Sequence, residues 1–275
     1  MSFKMLTPWF KDVFSLIDAT CHGMNVPLYL IGAQARQFHL VEKGIKPGRG
    51  TMDIDFAIML PDIQSYDQLM KELLQKGFRE AKEAHRIIHD KTNTVVDILP
   101  FGELEEKGTV KFTDRKTELS MIGFKEVLEE PDIRNYDEET IVQVTPLEGL
   151  IILKLISYNE KPERTRDLDD IREILVNYFD LNQDRFYEKH LDTLEEFNVN
   201  DFLIEAGAWL AGKDIGIVLN RNQQLKELIL KILQREIDLS TGAISSYLYG
   251  KDYFDDIDKI KRIFSLIIKG INQQA

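Results

Sequence analysis

The first half of the chain mixes two hydrophobic periods. Apolar residues at helical spacing predict helices over about 9–23, 33–41 and 65–76. Short apolar or alternating runs predict strands over about 26–31, 52–58, 86–89, 94–99 and 140–144. The polar residues 90–93 lie between two of these strands and predict a hairpin. This half is therefore expected to be a small mixed sheet covered by helices.

The pattern changes after Thr145, where Pro146 stands at a helix start and nearly everything that follows has helical character. We predict further helices at about 167–179, 183–195, 200–212, 214–219, 223–236 and 254–270. The expected fold class is α+β, with a mixed α/β half followed by an all-helical half. The expected domains are residues 1–145 and 146–275.

Composition narrows the class of protein. The 275 residues carry a net charge of −12, with 43% hydrophobic and 30% charged residues, which is typical of a folded protein. A single cysteine excludes an intramolecular disulfide framework. No apolar run approaches the roughly 18 residues of a membrane span, and the N-terminus lacks the pattern of a signal peptide. We expect a cytoplasmic protein without a membrane partner, and the acidic charge disfavours general affinity for nucleic acid.

Three carboxylates are the main candidates for chemistry. Asp53 and Asp55 are two residues apart on a predicted strand, so their side chains leave the same face. Asp97 lies in a later strand that the intervening helix and strand can return to the first. Clustered carboxylates repel one another and need cations, and oxygen ligands favour Mg²⁺ or Mn²⁺ over zinc. Taken alone, an Asp-x-Asp pair is more often a solvated strand end.

The neighbouring residues suit a phosphate. Gly32 ends a strand and begins a helix, where backbone N–H groups can meet an anion. Arg49 and Thr51, just before the acidic pair, add a cation and a hydroxyl. A candidate strip of basic residues for phosphate contacts consists of Arg36, His39, Lys43, Lys46 and Arg49.

The segments 30–35 (Leu-Ile-Gly-Ala-Gln-Ala) and 49–56 (Arg-Gly-Thr-Met-Asp-Ile-Asp-Phe) resemble the signature of the DNA polymerase β-like nucleotidyltransferase superfamily. Asp97 matches its third carboxylate. The likeness is greatest to the minimal bacterial branch that includes the AbiEii-type toxins, where a helical segment supplies a lysine and a basic-Asp-x-x-Asp pattern. Here Lys154 and residues 164–170 fit that pattern.

The resemblance implies a role for each matching residue. Asp53 and Asp55 would hold Mg²⁺ or Mn²⁺, and Asp97 would complete a metal site and orient or deprotonate the acceptor. Predicted contacts to a nucleoside triphosphate come from Gly32, Ala33, Arg36, Arg49, Thr51, Lys154 and Arg164. Ala33 departs from the family's Gly or Ser, because it keeps a backbone N–H but adds a Cβ.

Structural alternatives stand beside these roles. Arg49 would equally well pair with an acid and fix its loop, and Lys154 would equally well be a solvated helix lysine. Arg164 would pair with the acids that follow it, and Asp169 would face the helix dipole. Residues 247, 249, 253 and 254 form an aromatic set that we assign to helix packing rather than base stacking.

The leading hypothesis is a metal-dependent enzyme that transfers a nucleotidyl group from a nucleoside triphosphate to an unidentified acceptor hydroxyl or phosphate. Its acceptor would be tRNA in a toxin-like version, with an antitoxin as partner, or else a small molecule or protein. The main alternative is a non-catalytic nucleotide-binding module on the same fold, which Ala33 keeps open. A metal-dependent phosphohydrolase is a third possibility.

Overall fold

A computed structural model of the chain describes residues 9–48, 50–112, 117–238 and 242–273. The chain divides into two compact units, Met1–Pro146 and Leu147–Ala275. The predicted fold class is confirmed, since a mixed sheet with helices occupies the first unit and helices make up the second. Within the described residues, no helix is both long and apolar enough to cross a membrane.

The first unit alternates helices with short strands. In chain order its elements are α1 (Phe10–Gly23), β1 (Leu28–Ile31), α2 (Gly32–Glu42), β2 (Ile54–Leu60), α3 (Ile63–Gln75), β3 (Phe78–Glu80), β4 (Arg86–His89), β5 (Val95–Gly102), β6 (Thr109–Phe112), β7 (Thr117–Ser120), α4 (Phe124–Leu128), β8 (Asp132–Asn135) and β9 (Ile141–Val144).

The strands of this unit form a mixed sheet. Over the described residues the strand order is β3-β4-β5-β2-β1-β9-β8, and β6 pairs separately with β7. At the centre β1 runs antiparallel to β2, and β2 runs parallel to β5. The predicted hairpin is present as β4 and β5, which pair antiparallel. Five short elements were not indicated by the hydrophobic pattern: β3, β6, β7, β8 and α4.

The two faces of the sheet are covered by different aromatic groups. On one face, the Phe14 ring of α1 lies 6.1 Å from the Phe56 ring of β2. On the other, Tyr29 of β1 lies 5.8 Å from Phe101 of β5, and Phe101 also contacts Phe124 of α4. Because side chains alternate along a strand, this arrangement leaves Asp55, the neighbour of Phe56, on the face opposite α1.

The second unit is helical. Its elements are α5 (Leu147–Glu160), α6 (Thr165–Lys189), two 3₁₀ helices (Leu191–Glu196 and Val199–Asp201), α7 (Phe202–Leu219), α8 (Gln223–Asp238), α9 (Ala243–Leu248) and α10 (Ile257–Asn272).

The helix predicted at 183–195 is not a separate element, because α6 continues through it to Lys189. No glycine or proline interrupts this stretch, and the Asn182 side chain bonds to the Tyr178 carbonyl of the preceding turn. Such back-bonding accommodates an asparagine within a helix. The break expected between 179 and 183 is therefore wrong.

The break expected near 213 is also wrong, because α7 is one helix. Gly212 lies where α7 crosses α10 and not at the end of a helix. A Cβ at Gly212 would lie 2.9 Å from the carbonyl carbon of Ile267 in α10, and a Cβ at Gly270 would lie 2.7 Å from the Lys213 nitrogen. The two glycines thus let the backbones of α7 and α10 approach closely.

The predicted aromatic set does not pack as one group. Phe254 is completely buried, whereas Tyr249 and Tyr253 are 56% and 44% exposed. Tyr247 donates a hydrogen bond to Asp169, and Lys251 lies 3.4 Å from the centre of the Tyr247 ring. Only Phe254 belongs to the helix core.

Candidate active site

The central strands bring two of the predicted carboxylates to the same level of the sheet. Asp55 of β2 stands directly opposite Asp97 of β5 in the parallel register. Opposed residues on neighbouring strands point to the same face, about 4.8 Å apart. Two unscreened carboxylates at ~5 Å repel by about 3 kcal/mol at an effective dielectric of ~20. A nearby positive charge is therefore needed to hold this pair.

Gly32 places the strand-to-helix turn against Asp55. It follows Ile31, which stands opposite Asp55 in the antiparallel register, and it has φ +69°. A Cβ at position 32 would lie 3.1 Å from Asp55 Cγ and would overlap Oδ2. Only glycine therefore allows the Asp55 carboxylate to lie beside the start of α2.

The start of α2 is the electropositive end of that helix. Its N-cap residue, Ile31, makes no capping side-chain hydrogen bond. The first N–H groups of a helix carry partial positive charge and suit an anion. Gly32 and Ala33 begin this helix, so their predicted role as backbone ligands of a phosphate is compatible with their position.

The loop before β2 is anchored to α2. The Gln34 amide donates to the Thr51 carbonyl at 3.1 Å, and the Thr51 hydroxyl accepts from the Asp53 backbone N–H at 3.3 Å. Thr51 thus fixes the backbone that carries Asp53. Gln34 supports this loop, a role that we did not predict from the sequence. Arg49, which we predicted to bind phosphate in this loop, lies outside the described residues.

Asp97 is bound by an arginine that sequence reasoning did not find. Arg86 of β4 stands opposite Asp97 in the antiparallel register. Its Nε donates to Oδ1 at 2.7 Å and its Nη2 to Oδ2 at 2.8 Å. These hydrogen bonds raise the pKa of Arg86, and the charges of Asp97, Glu83 and Asp53 act in the same direction. Arg86 therefore supplies positive charge to the acidic group.

The predicted metal site would consist of the carboxylates of Asp53, Asp55 and Asp97. Across the described ranges, no three His, Cys, Asp or Glu side chains lie together in a way that would hold a metal ion. Asp53 and Asp55 offer the hard oxygen donors that Mg²⁺ prefers. Their binding of a divalent cation stays a prediction, and both oxygens of Asp97 face the Arg86 guanidinium.

The predicted basic strip is not a continuous surface. Arg36 is 1% exposed and His39 is 5% exposed. The His39 Nε2 lies 2.9 Å from the Thr145 carbonyl, which can only accept, so this nitrogen carries the proton. Burial lowers the pKa of His39. Arg36 would therefore reach a phosphate only from within the fold, and its nucleotide contact stays a prediction.

In the helical unit, Lys154 is held by acids. It is 12% exposed and lies 3.0 Å from Asp167 and 2.5 Å from Asp170. Arg164 also binds Asp167, at 2.9 Å. Burial opposes ionisation of Asp167, but the charges of Lys154 and Arg164 outweigh it and lower its pKa. Lys154 is therefore not a solvated helix lysine, and Arg164 makes the pairing that we considered for it.

Asp169 has a different role from its neighbours. Its carboxylate accepts hydrogen bonds from Tyr247 at 2.8 Å and from Lys251 at 2.9 Å. These bonds tie α6 to α9, through Tyr247, and to the segment after α9, through Lys251. Its expected contribution as a helix-terminal charge is thus accompanied by a direct contact to Lys251.

A small cavity lies beside β4. Its volume is about 270 Å³, and its lining includes Tyr66, Lys71, Glu80, Arg86 and Phe112. Ligand pockets typically measure about 300–1,000 Å³. The cavity is slightly smaller than a typical ligand pocket, and Arg86 belongs both to its wall and to the pair with Asp97.

Comparison with known proteins assigns the chain to a class of protein. Residues 40–255 match the family model described as "Nucleotidyl transferase AbiEii toxin, Type IV TA system". This match covers well over half of the chain and includes all three candidate carboxylates. The class is thus that of nucleotidyltransferases. The chain belongs to the AbiEii nucleotidyl transferase family, as the resemblance implied.

Solved structures with some similarity carry related names. The solution structure of the antibiotic-resistance factor ANT(2″)-Ia is 15% identical, with 67% of this chain and 94% of that chain covered and a TM-score of 0.38. The crystal structure of ANT(2″)-Ia in complex with adenylyl-2″-tobramycin is also 15% identical, with 65% of this chain and 90% of that chain covered and a TM-score of 0.39. An antigenic nucleotidyltransferase-like protein from Paracoccidioides brasiliensis is 15% identical, with 72% of this chain and 94% of that chain covered and a TM-score of 0.40. No curated protein matches the sequence.

Proposed function

We propose that this protein transfers a nucleoside monophosphate group from a nucleoside triphosphate to an acceptor hydroxyl or phosphate, with Mg²⁺ or Mn²⁺ as cofactor. Family membership supports a nucleotidyltransferase. The observation that carries the proposal is the alignment of Asp55 with Asp97 on parallel strands, beside the Gly32 turn. This arrangement places acids next to the N-terminus of a helix, which suits a triphosphate and its cation.

The donor nucleotide would be bound from several directions. Gly32 and Ala33 would offer backbone N–H groups to the phosphates. Thr51 and Arg49, which precede β2 in the sequence, would add a hydroxyl and a cation. Asp53 and Asp55 would hold the divalent cation, which neutralises phosphate charge when bound. Arg36 is proposed as a further phosphate contact within this unit. The phosphate contacts that the resemblance implies for Lys154 and Arg164 stay predictions.

The reaction itself is an in-line displacement. The acceptor oxygen bonds to the α-phosphorus, the bond from that phosphorus to the bridging oxygen breaks, and pyrophosphate leaves. The acceptor proton must go to a base. We assign the orientation of the acceptor, and the removal of its proton, to a carboxylate oxygen of Asp97.

The acceptor and protein partner are proposed more broadly. The family description names a toxin of a type IV toxin–antitoxin system, which supports an antitoxin as partner and a toxin-like action. A tRNA acceptor would require local basic surface to offset the net charge of −12. A small molecule or a protein would not require it.

The test is transfer of label from α-³²P-nucleoside triphosphates to the components of a cell extract. The double variant Asp53→Asn, Asp55→Asn should lose at least 100-fold of the rate, because the cation loses both charged ligands. The matched control is Asp90→Asn, which changes an exposed carboxylate paired with Arg79 in the same unit. Equal labelling by the double variant would refute the proposed metal mechanism.

A non-catalytic nucleotide-binding module is the second candidate. Two observations favour it: Ala33 replaces the family's Gly or Ser, and Arg86 already binds Asp97. Such a module would bind ATP with Mg²⁺ in equilibrium dialysis but would label no acceptor with any nucleotide. Transfer that depends on Asp53 would exclude it.

A further inference from the structure

Exposed apolar side chains are concentrated in one part of the helical unit. Among the described residues, twelve large hydrophobic side chains are exposed, and five of them lie between residues 184 and 203. They are Tyr187, Leu191, Leu194, Val199 and Leu203, with exposed fractions of 47%, 54%, 39%, 92% and 44%. Apolar residues scattered singly over a surface are ordinary, whereas grouped ones mark an interaction site. We call residues 184–203 the exposed segment.

The exposed segment is held to the fold behind it. Its middle consists of the two 3₁₀ helices, neither of which buries a side chain. Phe197, between these helices, is buried. On either side of it, Lys269 of α10 binds Glu196 at 2.6 Å, and Lys259 of α10 binds Asp201 at 2.6 Å. The segment is therefore fixed by one aromatic side chain and two ion pairs while its leucines face solvent.

The first 3₁₀ helix presents its two leucines together. Side chains three residues apart in a 3₁₀ helix lie on the same face, so Leu191 and Leu194 point in one direction. Because ion pairs to α10 already order this part of the chain, a partner that binds the leucines would lose little conformational entropy there. The surface is thus formed before any partner binds.

Acidic side chains lie among these apolar residues. The exposed charged residues of the segment are Asp184, Glu188, Asp192, Glu195 and Glu196, against Lys189 as the exposed cation. An apolar surface with a negative border fits a partner that combines apolar side chains with cations.

The same charges disfavour other occupants. The phosphates of a nucleic acid and the anionic surface of a membrane would both be repelled. A second copy that paired through the same surface would bring these acids against one another, because a two-fold interface is self-complementary. A protein segment with lysines or arginines next to leucine-like side chains meets no such repulsion.

We propose that the exposed segment is a docking surface for an amphipathic, basic segment of another protein, with Leu191 and Leu194 as its apolar anchors. The acids at its border attract the cations of that partner. The inference goes beyond the proposed transfer reaction, because this surface contains none of the candidate site residues and does not depend on nucleotide or metal.

The probe is a fluorescein-labelled amphipathic peptide of leucine and lysine, added to the full chain and followed by fluorescence anisotropy. In a second peptide every lysine is replaced by glutamate, and in a third every leucine is replaced by serine. The leucine–lysine peptide should bind at least about tenfold more tightly than either. Because the chain has a net charge of −12, equal binding of the serine–lysine peptide would indicate general attraction of cations and would overturn the proposal. No binding of the leucine–lysine peptide would overturn it as well.

Substitutions locate the binding surface. Leu191→Ser with Leu194→Ser should weaken binding of the leucine–lysine peptide at least about tenfold, because apolar anchors carry most of the binding energy. The matched control is Ile133→Ser with Ile141→Ser, which removes apolar side chains that are 59% and 62% exposed in the first unit and should leave binding unchanged. Equal losses in the two double variants would overturn the proposal. So would a wild-type dimer in sedimentation that Leu191→Ser with Leu194→Ser disperses, since a second copy would then be the occupant.

The acids provide a test that leaves every apolar side chain in place. Asp192→Asn with Glu195→Gln should weaken peptide binding about threefold or more at low salt, and the difference should shrink as salt is added. Glu106→Gln with Glu139→Gln is the matched control, because it removes the same charge from side chains that are 78% and 86% exposed in the first unit. An equal effect of the two double variants would show that net charge, and not this border, attracts the peptide.

Discussion

The contact between Gly32 and Asp55 gives a stability prediction that is independent of any ligand. Gly32→Ala has two costs: an alanine in the left-handed region at φ +69°, and a Cβ that overlaps Asp55 Oδ2. The backbone cost is about 1–2 kcal/mol. Forcing an extra group into a filled site costs about 1–3 kcal/mol more. We expect the first unit to lose about 2–5 kcal/mol in total.

Gly44→Ala separates these two costs. Gly44 has φ +76°, close to that of Gly32, but an added Cβ would meet nothing within 4 Å. It should therefore cost only about 1–2 kcal/mol. Asp55→Ala should also relieve the overlap, so that Gly32→Ala costs less in the Asp55→Ala background than in the wild type.

The assay uses the single cysteine of the chain. Cys21 lies in α1 of the first unit and is 1% exposed, and burial raises the pKa of its thiol to about 12. Its alkylation along a urea gradient therefore reports unfolding of that unit, because the folded thiol is both covered and uncharged. Equal losses for Gly32→Ala and Gly44→Ala would refute the contact with Asp55.

Two further perturbations follow from buried groups. Asp214→Asn should lower the free energy of unfolding of the helical unit by about 2 kcal/mol. Breaking a fully buried ion pair would cost more, but its partner Arg185 is 35% exposed. Fluorescence of the buried Trp209 during urea unfolding measures this loss, and the exposed Glu196→Gln should cost under about 1 kcal/mol. Burial lowers the pKa of His39 in the folded chain below its ordinary 6.5. As the pH falls, His39 is therefore protonated in the unfolded chain before it is protonated in the folded chain. The free energy of unfolding should fall as the pH drops below about 6.5. His39→Gln should reduce the difference between the alkylation midpoints at pH 7.5 and pH 5.5, and an unchanged difference would contradict this assignment.

The strands around the candidate site could be predicted from the sequence, because each has its own short hydrophobic pattern. The strand–helix–strand order from 52 to 99 allowed Asp97 to return beside Asp55, and the structure pairs them directly. Arg86 was missed although a signal was present. The hairpin at 90–93 fixes the register of its strands, and counting back from the turn places Arg86 opposite Asp97.

Other features depend on contacts that periodicity does not encode. The short strands β3 and β8 carry few residues, and they form because neighbouring strands offer unpaired edges. Gly212 resembles a helix terminator in sequence, yet it lies where α10 crosses α7. The burial of Arg36 is likewise a property of the packed fold, because its sequence neighbours give no sign of it.

The reaction class can be tested directly by comparing the two ends of the triphosphate. Purified protein is incubated with an extract and either α-³²P-ATP or γ-³²P-ATP, then with the other three nucleotides labelled in the same two ways. We expect label from the α-phosphate of one nucleotide to enter an acceptor, while label from its γ-phosphate appears in pyrophosphate. Transfer of the γ-label, or release of labelled nucleoside monophosphate without any acceptor, would contradict nucleotidyl transfer.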